Sequence, residues 1–134
     1  REGPPQRLDQ VPTDWFEQVR RIAPGKPFAI AETGFIAEPL SVLWKTVEGT
    51  PADQEKYAAW MLSEANRLDA EFVVWFVVAD YDELWSVLRW MVLFNPLMKV
   101  WKDTGMFDGE LEARPALGVW DAWLRAPIDP RRNP

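Results

Sequence analysis

The chain has 134 residues with a net charge of −6, and 48% of its residues are hydrophobic. This length suits one domain with its own core, and because the acidic chain lacks a basic patch we expect no nucleic-acid partner. The sequence contains neither cysteine nor histidine, which excludes thiol nucleophiles, disulfides, Cys/His zinc sites and Ser-His-Asp machinery within this chain.

Carboxylates and aromatic rings remain as the groups that can carry chemistry. The chain has nine tryptophans, and this combination suits carbohydrates, because a sugar ring offers apolar faces for stacking and hydroxyls for hydrogen bonds. Any single tryptophan is nevertheless more commonly a core residue. No apolar run reaches about 18 residues, so we expect no membrane span. The chain starts at Arg1 without a signal-peptide core, and we expect it to be a piece of a longer protein.

The first predicted elements are a loop, a helix and a strand. Residues 1–12 are rich in proline, glycine and charge, which predicts a loop or a severed connection. Thr13 is a suitable N-cap for a helix that a Pro-Gly pair then stops. Residues 26–35 read Lys-Pro-Phe-Ala-Ile-Ala-Glu-Thr-Gly-Phe, and this short apolar run between turn residues predicts a buried strand that ends at Glu32.

Glu32 is the catalytic candidate of the sequence. On a regular strand it would share a face with Ile30 and Phe28, and a charge on a buried face is costly unless the strand ends there and opens into a site. Sites in parallel α/β folds form at the carboxyl ends of strands. From periodicity alone, the simpler interpretation is an ordinary strand whose last glutamate caps a helix or pairs with an arginine.

A long loop, residues 35–49, follows this strand and carries Phe35 and Trp44. Loops at the carboxyl ends of strands in parallel α/β folds are where binding sites form, so we expect both side chains to bind substrate. Thr-Pro-Ala-Asp at residues 50–53 predicts the start of a helix.

Residues 71–80 predict a second strand, apolar on both faces as in a parallel sheet covered by helices. It ends in Asp80, with Asp82 close behind. Strand, helix and strand together predict a βαβ unit.

The last third of the chain is mostly helical in its pattern. Residues 83–101 are very apolar and predict either a helical insertion beside the cleft or a face that packs on a missing partner. A final helix begins near Pro115 and is expected to bury Leu117, Trp120, Trp123 and Leu124. Residues 126–134 predict a disordered tail.

The strand within residues 26–35 resembles the seventh strand of clan A glycoside hydrolases, (β/α)8-barrel enzymes that cleave glycosidic bonds with retention. In that clan a strand reading Lys-Pro, apolar residues and then Glu-Thr-Gly ends in the catalytic nucleophile, and Glu32 occupies that position. The clan also carries a tryptophan on the eighth strand that lines the sugar subsite, and Trp75 is the nearest match. Trp75 and Asp80 have opposite parity, which a bulge or a position of Asp80 past the strand end would resolve.

The resemblance covers residues 13–125, as helix six to helix eight of the barrel, which would be the C-terminal part of the catalytic domain. It implies an α/β fold, a partial TIM (β/α)8 barrel with about its last two strands and three helices, because a complete barrel needs roughly 250 residues. The partner is then the remainder of the barrel, its N-terminal half. The resemblance also implies an extracellular or periplasmic location.

The activity that the resemblance implies is retaining hydrolysis of O-glycosidic bonds in oligo- or polysaccharide, with Glu32 as the ionised nucleophile. Trp75 would stack beneath the sugar, and Asp80 or Asp82 would bond its hydroxyls, with no metal or organic cofactor. The clan's acid/base glutamate, in an Asn-Glu pair, is absent, so we expect the isolated chain to be inactive. Two alternatives stay open: a non-catalytic half-barrel that binds carbohydrate or protein, and a structural α/β module.

Overall fold

The computed structural model describes residues 5–42, 45–92 and 101–127, and within these ranges the chain is a mixed α/β protein. The α-helices are α1 (Trp15–Ile22), α2 (Pro51–Arg67), α3 (Asp82–Val92) and α4 (Pro115–Leu124). The strands are β1 (Ile30–Thr33), β2 (Leu40–Val42), β3 (Lys45–Val47) and β4 (Val73–Trp75). A short 3-10 helix, Leu8–Gln10, precedes α1.

The sheet that positions the candidate site consists of β1 and β4, which pair in parallel. Ile30 lies opposite Val73 and Thr33 lies opposite Trp75. Between these two pairs β1 advances by three positions and β4 by two, so β1 contains one extra residue. The predicted order of strand, helix and parallel strand is therefore confirmed. The irregularity in β1 breaks the strict alternation of faces that the sequence interpretation assumed.

Both strands are shorter than predicted. β4 ends at Trp75 instead of Asp80, although the next amide, on Phe76, still donates to the carbonyl oxygen of Thr33 at 2.7 Å. Asp80 lies past the strand end, which resolves its opposite parity to Trp75. The predicted loop 35–49 also differs, because β2 and β3 form an antiparallel pair within it.

Helix starts follow local sequence closely. α2 begins at Pro51, and its N-cap Thr50 accepts a hydrogen bond from the Asp53 amide at 3.1 Å, as predicted. α4 begins at Pro115, also as predicted. The N-cap of α1 is Asp14 instead of Thr13, and its side chain makes no capping hydrogen bond.

The core lies between one face of the sheet and helix α2. Its main cluster joins β1 to α1, α2 and the turn after α2 through Phe16, Ile30, Met61, Leu62, Ala65 and Leu68. A second cluster of Ala58, Met106 and Ala116 fixes α4 against α2. Full burial of one such large side chain stabilises a fold by about 1.5–3 kcal/mol.

The opposite face of the sheet lies open among the described residues. Phe72 is 55% exposed and Val74 is 44% exposed, and both alternate with residues that face the core cluster. The outer side of α4 is open as well: Trp123 is 38% exposed and Leu124 is 74% exposed, so the predicted burial of these two residues was wrong.

Two parts of the prediction extend beyond the described ranges. Residues 93–100 belong to the predicted apolar segment 83–101, of which the structure describes α3 and Trp101. Residues 128–134 belong to the predicted tail. Among the described residues, no helix has both the length and the apolar character needed to cross a membrane.

Candidate functional site

Glu32 lies in β1, one residue before the carboxyl end of the strand, and its side chain is exposed. It does not share the buried environment of Ile30, because the irregularity of β1 lies between Ile30 and Thr33. Within the described part of the chain, the side chain of Glu32 makes no hydrogen bond or ion pair with another residue. Its carboxylate is therefore not engaged by these residues and can meet a ligand.

The glycine of the Glu-Thr-Gly motif has a structural reason. A Cβ atom on Gly34 would lie 2.5 Å from the carbonyl oxygen of Phe76, a contact that real Cβ atoms essentially never make. Glycine thus lets the carboxyl ends of β1 and β4 approach each other directly behind Glu32.

Tyr57, on α2, is the residue on which the predicted site residues converge. Its hydroxyl lies 2.6 Å from the Thr33 hydroxyl, next to Glu32 in the chain. Its ring stacks on Phe35 at 5.2 Å between centroids and lies 6.1 Å from the ring of Trp75. Burial raises the pKa of Tyr57, against the opposing effect of the hydrogen bond with Thr33, so the phenol stays protonated at neutral pH.

Trp75 is held between the sheet and two helices. Its indole Nε1 donates to the carbonyl oxygen of Thr104 at 3.0 Å. Its ring meets Tyr57 of α2 on one side and lies 6.1 Å from Trp120 of α4, edge to face, on the other. The side chain is half-buried and belongs to the packing around both core clusters. These contacts give Trp75 a packing role, and its role under a sugar stays a prediction.

Asp80 forms a buried ion pair with Arg114, whose guanidinium donates to both carboxylate oxygens, at 2.9 and 2.6 Å. The amide of Gly105 donates to the same carboxylate at 2.7 Å. The side chains of Asp80 and Arg114 are 1% and 8% exposed. Both oxygens of Asp80 are thus occupied by donors of the chain itself, and the structure gives Asp80 a structural role instead of an open one.

Asp82 begins α3 and lies in a second group of charges. The ammonium of Lys102 is 2.9 Å from an Asp82 oxygen and 2.8 Å from an Asp103 oxygen. Burial lowers the pKa of Lys102, but the hydrogen bonds to Asp103 and Asp82 outweigh that effect and raise the pKa overall. Asp82 is nearly half exposed and remains accessible from solvent.

Gln54 fastens the segment after β1 to the rest of the fold. This residue of α2 is fully buried, and its Nε2 donates to the carbonyl oxygens of Phe35 and Gly105, both at 3.0 Å. Its Oε1 is buried without a hydrogen-bond partner among the described residues. Gln54 and Arg114 both bind the Gly105 carbonyl, so the Phe35 segment and the Asp80 ion pair share one anchor.

An apolar pocket of about 180 Å³ adjoins the carboxyl end of β4. We call it the Phe76 pocket, and its walls are formed by Phe76, Tyr81, Leu84, Trp85, Leu88, Trp101 and Lys102. A larger surface depression, of about 660 Å³, lies between the N-terminal segment and the start of α2, and none of the predicted site residues lines it. None of the predicted site residues lines the smaller pocket either, but Phe76, which directly follows Trp75 in the chain, forms one of its walls.

In the structure, the rings of Phe35 and Trp75 both contact the ring of Tyr57. Asp80 does not belong to this group, because Arg114 and the Gly105 amide bind its carboxylate. Trp44 lies outside the described residues. Tyr57 was not among the predicted site residues, because its spacing places it in the apolar stripe of α2, where a tyrosine looks like a core residue. The signal that the sequence offered was the hydroxyl of Tyr57, a polar group within an otherwise apolar stripe.

Comparisons with known proteins give one fold-level likeness. No protein-family model matches the chain, and no curated protein matches it. The chain is similar to a solved structure of an active-site mutant of Rhizomucor miehei beta-1,3-glucanosyltransferase in complex with laminaritriose, with a TM-score of 0.53 and 16% sequence identity. The match covers 82% of this chain and 36% of that chain, so this chain spans about a third of its neighbour's length. At this identity, the likeness is one of fold alone.

Proposed function

We propose that the chain is the C-terminal part of a retaining glycoside hydrolase of the clan A type, with a partial (β/α)8 barrel that supplies the nucleophile Glu32. The observation that carries the proposal is the exposed carboxylate of Glu32 beside the carboxyl end of a parallel strand, without a partner among the described residues. The likeness in fold to an enzyme that holds laminaritriose supports a carbohydrate as the substrate.

The chemistry needs two carboxyl groups roughly 5–5.5 Å apart. In the proposal, ionised Glu32 attacks the anomeric carbon and forms a glycosyl–enzyme ester, while a protonated acid donates its proton to the departing oxygen. The same acid, now a base, takes a proton from water, which attacks the anomeric carbon and releases Glu32. The acid/base group comes from the N-terminal half of the barrel.

The neighbouring residues take distinct roles in this proposal. Tyr57 holds Thr33, and with it the end of β1, through the 2.6 Å contact of their hydroxyls. Asp82, which is accessible from solvent, is the carboxylate that bonds a sugar hydroxyl, because those of Asp80 are taken by Arg114. Phe35, Trp44 and Trp75 supply the aromatic surface of the cleft.

The open face and edges of the β1–β4 sheet support the need for a partner. Two parallel strands cannot close a barrel, and Phe72 and Val74 stay exposed on the face away from α2. Strands of the missing half would cover this face and pair with both edges. The extracellular or periplasmic location belongs to the same proposal.

The experiment compares Glu32→Gln with wild type in the full-length protein. We expect hydrolysis of a β-glucan oligosaccharide to fall by about three orders of magnitude or more, with binding nearly unchanged, because the amide cannot attack. The matched control is Glu38→Gln, an exposed glutamate of the following loop, which should leave turnover unchanged.

Trapping adds a direct readout. A fluorinated glycoside that forms a stable glycosyl ester should add its mass to the peptide that contains Glu32, and the label should be absent in Glu32→Gln. More than about a tenth of wild-type turnover in Glu32→Gln, or a label on another carboxylate, would rule out the nucleophile assignment.

A second candidate function is carbohydrate or protein binding without turnover. The absence of an Asn-Glu pair from the sequence favours it. Binding of the oligosaccharide by the full-length protein with no hydrolysis and no covalent label would select this function over the first.

A further inference from the structure

The walls of the Phe76 pocket consist mainly of aromatic and aliphatic side chains. Phe76 meets the rings of Tyr81 and Trp101 edge to face, at 6.1 and 6.4 Å between centroids. Leu84, Trp85 and Leu88 of α3 close the other side. Aromatic rings pack favourably in offset and edge-to-face geometries, so this surround fits one more ring better than it fits a sugar, whose hydroxyls need several polar partners.

The size of the pocket restricts the ligand. Its volume is about 180 Å³, and an apolar cavity of about 150 Å³ is large enough to hold benzene. A single six-membered aromatic ring with a small substituent therefore fits in it.

One charged residue of the lining selects the substituent. Lys102 has three N–H donors, and the described residues use two of them, for Asp82 and Asp103. Because the pocket wall is almost entirely apolar, Lys102 lines it mainly with its methylene stem, and the third N–H is left for an oxygen at the rim of the pocket. Because the two carboxylates already balance the ammonium, a neutral hydroxyl or ether oxygen suits this position better than a further anion.

The pocket also adjoins the strand end that carries Glu32. Its wall residue Phe76 donates its amide to the Thr33 carbonyl at 2.7 Å, and its carbonyl oxygen lies against Gly34. A ring in the pocket is thus next to the carboxyl ends of both β1 and β4.

We propose that the Phe76 pocket binds a phenol-type ligand, one aromatic ring with a neutral hydroxyl or ether oxygen directed to Lys102. Binding of the free phenol depends on the pocket alone. A further role as the site for the aryl aglycone of a glycoside substrate rests on the proposed function.

The test is calorimetric titration of p-cresol into the full-length protein and two variants of α3. Leu84 and Val87 are both exposed apolar residues of this helix, and only Leu84 lines the pocket. We expect saturable binding at one site, and about tenfold weaker binding in Leu84→Asp, because a carboxylate is brought beside the ring. Val87→Asp should bind like wild type, and circular dichroism should show the same helix content in all three.

The remaining arms separate the explanations. Cyclohexanol should bind at least about tenfold more weakly than p-cresol if ring stacking selects the ligand. Absence of p-cresol binding, equal losses in Leu84→Asp and Val87→Asp, or tighter binding of glucose than of p-cresol would each overturn the proposal. Glu32→Gln should bind p-cresol like wild type, so a failure of hydrolysis leaves this result unaffected.

Discussion

At the scale of single residues, Glu32 and Trp75 show what a sequence motif can and cannot predict about a side chain. The Glu-Thr-Gly wording directs attention to Glu32, and the structure leaves its carboxylate exposed. The same resemblance directs attention to Trp75, yet the indole is fastened to Thr104 and lies between Tyr57 and Trp120. A motif identifies the position in a strand, whereas the contacts of the side chain come from helices far along the chain.

The substitution Trp75→Ala tests whether Trp75 acts as a core residue or as a surface on which a sugar ring stacks. Because the half-buried ring packs on α2 and α4, we expect the substitution to cost about 3 kcal/mol of unfolding free energy, near the lower end for a large aromatic residue. Trp75→Phe, the control, keeps a ring and loses the bond to Thr104, at a cost of about 1 kcal/mol. Urea unfolding and oligosaccharide titration of the full-length variants measure both effects. A loss of affinity by about 1–3 kcal/mol with unchanged stability would contradict the packing role.

At the scale of elements, local signals were sufficient for helix starts and for the order of the parallel pair. Thr50 and Pro51 act within one turn of chain, so the start of α2 is legible in the sequence. The end of β4 is not, because the extent of a strand depends on its pairing partner, and the last bond of this pair joins Phe76 to Thr33, 43 residues away by their numbering. The hairpin of β2 and β3 and the irregularity of β1 likewise follow from pairing partners that a single run of residues does not reveal.

The ion pair between the segment that follows β4 and the start of α4 is the clearest case of a partner that is distant in the sequence. Asp80 and Arg114 are 34 residues apart in sequence and form a buried, doubly hydrogen-bonded pair. Sequence reasoning saw Asp80 as an open carboxylate, because nothing near it in the chain supplies the cation. Beside this pair, Ala79 and Ala113 each form a β-bridge with Phe107, so the ion pair reinforces a junction that backbone hydrogen bonds also hold.

The substitution Asp80→Asn tests how much this ion pair contributes to the free energy of unfolding. It leaves the Arg114 guanidinium buried without a counter-charge, so we expect a loss of about 3–5 kcal/mol in unfolding free energy. Asp82→Asn is the matched control, because its pair with Lys102 is more exposed and should cost no more than about 1 kcal/mol. Replacing both partners, with Asp80→Leu and Arg114→Met, should recover much of the loss. Equal losses of unfolding free energy in Asp80→Asn and Asp82→Asn, measured by urea unfolding, would show that the buried pair stabilises the fold no more than the exposed one.

At the scale of the whole molecule, the described chain has a complete layer of helix packing on one side of the sheet and none on the other. α2 covers the face that carries Ile30, while Phe72 and Val74 remain exposed on the opposite face. Each strand of the pair also keeps one edge without a strand partner among the described residues. Open edges and exposed apolar faces favour association with other chains.

We therefore expect the isolated 134-residue chain to self-associate, or to bind hydrophobic dyes as a loosely packed state. If the open sheet face drives association, the double variant Phe72→Lys/Val74→Lys should shift light-scattering mass towards the monomer, because lysines on the face repel a second copy. Ile22→Lys/Val87→Lys places the same charges on exposed helix positions and should leave the mass unchanged. A wild-type chain that elutes as a monomer with sharp, dispersed amide signals would contradict the half-barrel interpretation. In that case the open face would belong to a domain that is stable without a partner.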